Sequence, residues 1–161
     1  MHTEKVAKMG LILALGMILS YVEVLIPIAP TMPGVKFGLS NALVLLLLYS
    51  YGVGYAAIYQ VTRIVLTAIL FGNVFSAVYS LAGATLSLVI MLLIKRCQWL
   101  DIPGISMLGG VFHNVGQLIV AYFFVRNDAV TWYLPVLLIA GTISGYLIGL
   151  LSEMILKRRL L

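Results

Sequence analysis

Residues 59–73 read YQVTRIVLTAILFGN, an apolar run interrupted by one arginine. Arg63 carries a permanent positive charge where the surrounding side chains demand lipid. Ionisable residues inside a membrane nearly always face the bundle interior or a cavity and find a partner there. Stepping by four gives Tyr55, Tyr59, Arg63 and Thr67, which share one helix face, with Gln60 beside them. A guanidinium at the centre of such a stripe either clasps helices together, with Glu23 or backbone carbonyls as partners, or attracts a negative or electron-rich group of a ligand.

A second cluster lies in GGVFHNVGQ, where His113, Asn114 and Gln117 fall within one turn beside Gly109, Gly110 and Gly116. Buried amides and imidazoles need hydrogen-bond partners. These three can serve one another, another helix or a ligand, and the glycines let a helix or a substrate approach the backbone closely. One histidine without a nearby cysteine or carboxylate is a poor metal-ligand set, so no metal site is expected.

The third candidate is PIAPTMPGVKFGLSN, residues 27–41, which holds three of the five prolines. Proline cannot continue a helix and stiffens an extended connection. Lys36 follows, then Ser40 and Asn41. The segment is expected to form a rigid cap, either a plain connector with Glu23 and Lys36 reaching the interface or a lid over a cavity. The candidate binding set is therefore Arg63, Tyr59, Thr67, His113, Asn114, Gln117, Lys36 and Asn41.

The elements that must hold these residues follow from composition. The chain has 161 residues, 63% hydrophobic and 9% charged, with a mean hydropathy of +1.14. Soluble domains carry about a quarter charged residues, so the solvent of this chain is lipid. Six spans are expected, at about 6–27, 37–51, 52–71, 75–94, 106–125 and 131–156, in a single integral all-α membrane domain covering 1–161. The second is short, and its break from the third rests on YSYGVGY. The first run is longer than a signal-peptide core and lacks an A-x-A site, so it is expected to stay as a span.

Seven of the ten basic residues (Lys5, Lys8, Lys95, Arg96, Lys157, Arg158, Arg159) fall on one side of this scheme, against Lys36 and Arg126 on the other. Lys and Arg favour the cytoplasmic side, so both termini are expected inside. The net charge of +5 is a topology signal and does not point to nucleic acid. The single cysteine, Cys97, excludes an internal disulfide. Small residues recur every three or four positions at Gly141, Gly145 and Gly149, at Ala7, Gly10 and Ala14, and at Ser76, Ser80, Gly83 and Ser87, the pattern of closely packed membrane helices. Such a stripe serves internal packing or docks another membrane protein.

Several activities lack their residues. There is no G-x-x-x-x-G-K-[ST] phosphate loop. The only aspartates are Asp101 and Asp128, far apart, whereas prenyl-diphosphate synthesis needs clustered aspartates for Mg²⁺ and diphosphate. No partner carboxylate suits His113 for a hydrolase triad, and no haem or flavin motif is present. The reading is a non-enzyme without a cofactor.

The blocks PGVKFGLSNALVLLLLY, LFGNVFSAVYSLAGATLSLVIM and GGVFHNVGQL together resemble the Gx transporter family, which also carries the name heptaprenyl diphosphate synthase component I. We read the synthase part of that name as a genomic-neighbourhood label. The family in turn is similar to the substrate-binding S components of energy-coupling factor (ECF) transporters. That resemblance implies a six-helix bundle with both termini cytoplasmic in the bacterial cytoplasmic membrane. It implies a vitamin-, quinone- or isoprenoid-related ligand bound near the outer face. It also implies docking to a transmembrane T subunit and its ATPases through the small-residue face of the first helix, Ala7, Gly10 and Ala14, where Gly10 and Ala14 approximate the family's A-x-x-x-A pattern. Family members also resemble a membrane protein of flavin-based extracellular electron transfer. This leaves open a scaffold or accessory role with a membrane flavoprotein, or an accessory role in prenyl-diphosphate or quinone synthesis.

Overall fold

The computed structural model describes residues 2–25, 38–126 and 132–158. Lys36 and the three prolines of the expected cap lie outside the described residues, and with them the expectation of a lid. The chain folds into α1 (His2–Leu25), α2 (Leu39–Ser50), α3 (Val53–Phe71), α4 (Val74–Cys97), α5 (Ile102–Val125) and α6 (Leu134–Lys157). It is an all-α membrane protein. Among the described residues, five helices are long and apolar enough to cross a bilayer.

The helix ends differ from the expected bounds for local reasons. α5 begins at Ile102, four residues earlier than expected, because Asp101 caps it by accepting the Gly104 N–H at 2.9 Å and Pro103 fits the first turn. α4 starts after Asn73, whose side chain accepts the Ser76 N–H at 2.8 Å. It runs on to Cys97, beyond the basic pair Lys95 and Arg96, whose charge suits a helix C-terminus. The break between α2 and α3 is made at Gly52, with φ 92° and ψ 177°, a conformation open essentially to glycine alone.

α2 is short, as expected, and shorter than its expected bounds. Its 12 residues give about 18 Å of helix, short of the ~30 Å hydrocarbon core. It survives as a half-length helix because protein wraps it: Leu47 is fully buried, and Val44, Leu45 and Leu48 are 1% exposed. Its C-terminal end is tied down by Lys95, whose Nζ donates to the Leu48 carbonyl at 3.0 Å and sits 4.1 Å from the centre of the Tyr49 ring. Its N-terminus therefore stops part-way through the bundle.

The helices form a closed circuit. α2 packs on α3 and α6, α3 on α4, α4 on α5 and α5 on α6, while α1 leans on α2 and α3. The α5–α6 and α4–α5 contacts are the most extensive, and glycine makes them possible. A Cβ on Gly110 would lie 2.4 Å from the Gly141 carbonyl oxygen, and one on Gly145 would lie 2.7 Å from the Ser106 carbonyl. The Gly141–Gly145–Gly149 stripe is thus spent on α5. Ala7, Gly10 and Ala14 are exposed, and Gly10 has open space around it.

The bundle is chemically two-ended. A dry apolar core joins Ile12 of α1, residues 43–48 of α2, Ala56 and Tyr59 of α3, Met91 of α4 and Ile105 of α5, with Ile155 and Leu156 of α6 packed against them. This core lies at the end that carries Lys5, Lys8, Lys95, Arg96, Lys157 and Arg158. The other end holds a polar cavity. The outer surface is apolar, with Leu11, Ile58, Ile69 and Val74 all largely exposed, as lipid contact requires.

Candidate functional site

Arg63 is 8% exposed. Its Nη1 donates to Ser20 Oγ of α1 and to Ser40 Oγ of α2, both at 2.9 Å, and its Nη2 donates to Asn41 Oδ1 at 3.4 Å. One guanidinium thus ties α1, α2 and α3 together through neutral oxygens. Its Nε and the Thr67 Oγ1, one helical turn further on, are buried without a hydrogen-bond partner among the described residues. A buried donor left unmade is costly, and because both atoms are almost fully covered, a guest reaches them only if neighbouring side chains shift.

Glu23 also lines the cavity. One of its carboxylate oxygens accepts the Leu39 N–H at the start of α2. There it caps a helix whose N-terminal residue, Gly38, offers no side chain for the purpose. Tyr59 is placed differently from the sequence expectation. It is 4% exposed and belongs to the apolar core. Its ring end fits the space left by Gly16, where a Cβ would lie 1.9 Å from the hydroxyl oxygen, and that hydroxyl reaches the Ser40 carbonyl at 3.5 Å. Tyr59 therefore stands behind the cavity wall and supports the α1–α2–α3 junction. Tyr55, on the same face of α3, is exposed and packs on Tyr51.

Across the bundle, α5 presents His113, Asn114 and Gln117 to the same cavity. Asn114 Nδ2 donates to the Leu137 carbonyl of α6 at 2.6 Å, which leaves its carbonyl oxygen as an acceptor. Gln117 is 4% exposed. The serines of α4 at 76 and 80 complete that side, with Ser144 of α6. About 100 Å³ of the cavity is open to the centres of water-sized atoms, room for several waters or one compact organic group at ~10–15 Å³ for each water centre. All six helices contribute to its lining.

The structure thus brings together Arg63, Thr67, His113, Asn114, Gln117 and Asn41, sets Tyr59 behind the wall, and leaves Lys36 outside the described residues. Sequence reasoning read Ser76 and Ser80 as packing positions and passed over Ser20 and Ser144. A serine four residues from a carbonyl on its own helix commonly bonds backward, as Ser144 does to Ala140 at 2.8 Å. A lone hydroxyl in an apolar helix therefore carries little signal. The available signal was the i, i+4 repeat of Ser76 and Ser80 beside Asn73. No group of three or more His, Cys, Asp or Glu side chains suited to a metal occurs among the described residues.

This fold and cavity define a multi-pass membrane protein with an internal polar chamber. Over residues 12–155 the chain matches the family described as heptaprenyl diphosphate synthase component I, and it belongs to that family. No curated protein and no solved structure matches it.

Proposed function

We propose that the chain is the substrate-binding membrane subunit of an ECF-type transporter. It would capture a small vitamin-, quinone- or isoprenoid-related molecule in the cavity at the end opposite its basic residues. One observation carries this reading: a buried arginine, hydrogen-bonded among the described residues to Ser20, Ser40 and Asn41, faces a chamber that Glu23 also lines and to which all six helices contribute. A clasp alone would need no chamber. The basic asymmetry supports a chamber that opens toward the cell exterior, with the apolar core as its floor on the cytoplasmic side. The exposed Ala7–Gly10–Ala14 face of α1 suits close approach by the helix of a T subunit. Native mass spectrometry of the detergent-purified chain tests the binding role. A small molecule retained by the parent and lost from Arg63→Lys supports it, and a chain that retains nothing from a complete extract of the cell's small molecules overturns it. Co-purification with a T subunit and ATPases supports transport.

The family description favours a second reading. A component I implies a second component, so the chain could serve as the membrane partner of a separate prenyl-diphosphate synthase. Recovery of a soluble prenyltransferase with the chain, and of no ATPase, would favour it.

A further inference from the structure

The cavity has an inner continuation. A second chamber, with about 40 Å³ open to water-sized centres, shares Gly38, Asn41, Gly110 and Ser144 with the first. It runs toward the apolar core, between Gln60 of α3, Met91 of α4 and Ile148 of α6. The two chambers differ in kind. The outer one has Arg63 and most of the hydroxyls, and the inner one is mainly apolar, with the Gln60 amide in its wall.

We propose that the chamber pair binds a two-part ligand: an anionic group held at Arg63 and the α2 N-terminus, and a compact uncharged part in the inner chamber. The proposal rests on the binding reading above and adds the chemical class of the ligand. Three observations converge on the anion. Arg63 is more than nine-tenths buried, has an Nε–H without a hydrogen-bond partner among the described residues, and makes its other hydrogen bonds among them to neutral oxygens. Thr67 places a second unpartnered hydroxyl one turn away on the same wall. α2 is a half-length helix that begins inside the bundle, with Gly38, Ser40 and Asn41 at the cavity. The N-terminus of such an interrupted helix carries partial positive charge, and in membrane transporters it points at anionic substrate groups. The Glu23 carboxylate accepts one N–H of that terminus and lines the same cavity, so a guest anion is held by Arg63 and by the donors that Glu23 leaves. A carboxylate and a phosphate share this chemistry, and the guanidinium fork accommodates either.

The test uses simple probes on the full chain in detergent. Thermal stabilisation is measured with acetate, benzoate, phenyl phosphate and neutral benzamide. The expected order places benzoate or phenyl phosphate above both acetate and benzamide, and whichever of the two leads identifies the anion. Arg63→Lys should weaken the leading anion about tenfold and leave benzamide unaffected. Gly109→Ala tests the inner chamber. Its Cβ would meet the Met91 side chain at 2.8 Å and press that flexible thioether into the chamber, so benzoate should fall toward acetate. Benzamide equal to benzoate overturns the anion, and unchanged benzoate in Gly109→Ala overturns the inner chamber. No response to any anionic probe, with a neutral or cationic molecule retained in native mass spectrometry, overturns this inference while the binding reading stands. Nothing retained at all removes both.

Discussion

At the scale of single residues, Arg63 is the test of the site. Its planar fork spans two serine hydroxyls and the Asn41 amide, a geometry that an ammonium on a flexible stem does not reproduce. Arg63→Lys should keep the charge and a folded bundle but lose at least ~1.5 kcal/mol of affinity for phenyl phosphate or benzoate, the lower end for hydrogen bonds to charged groups. Arg63→Ala should lose more. Affinity and melting temperature measured on the same preparations separate the roles. Intact affinity in a folded Arg63→Lys protein would show that the fork reads no ligand. Glu23 acts through the fold. Glu23→Gln removes the charge that caps α2, and its effect should appear in stability, at about 0.5–2 kcal/mol as for a lost helix cap, with a smaller effect on affinity than either Arg63 variant. A Glu23→Gln protein of parental melting temperature that no longer binds would place Glu23 in the ligand site itself.

At the scale of elements, the α5–α6 seam is the tightest surface in the molecule. A side chain at Gly145 would run into the Ser106 carbonyl at 2.7 Å and the Met107 Cα at 2.9 Å. Backbone cannot yield as a side-chain tip does, so Gly145→Leu should lower stability by about 3 kcal/mol or more, seen as a lower melting temperature and a changed elution profile. Gly10→Leu makes the opposite prediction, because nothing lies within 4 Å of the Gly10 position. The isolated chain should melt as the parent does, and any loss should appear only in co-purification of a membrane partner. The helices themselves were legible in the sequence, since long apolar runs admit one solution in lipid. The second helix was legible as a short one, but not what holds it: Lys95, far away in sequence, ties down its C-terminal end at Leu48. The Arg63 stripe was legible as a stripe, but period alone placed Tyr59 beside Arg63 at the ligand. Gly16, far away in sequence, opens the space that draws Tyr59 into the core.

At the scale of the whole molecule, the bundle is an apolar plug at one end and a polar chamber at the other. The ends are also marked electrically. Lys5 and Lys8 of α1, Lys95 and Arg96 of α4, and Lys157 of α6 with Arg158 just beyond it share the plug end, while Arg126 follows α5 at the chamber end. Among the described residues, two ion pairs at the plug end, Lys8–Glu4 at 3.3 Å and Lys157–Glu153 at 2.8 Å, are i, i+4 pairs, the first exposed and the second with a half-buried carboxylate. Pairs of that kind contribute little to stability, so these charges mark orientation more than they hold the fold. If the positive side is cytoplasmic, the chamber opens outward and the dry core is its floor. Native Cys97 is exposed at the plug end and reports one side. An Arg126→Cys substitution in a Cys97→Ser background reports the other. In intact cells a membrane-impermeant maleimide should label position 126 and spare native Cys97, and permeabilised cells should label both. The inverse pattern would turn the chamber toward the cytoplasm and end the capture reading. Labelling of both from outside would break the arrangement of spans on which the chamber depends.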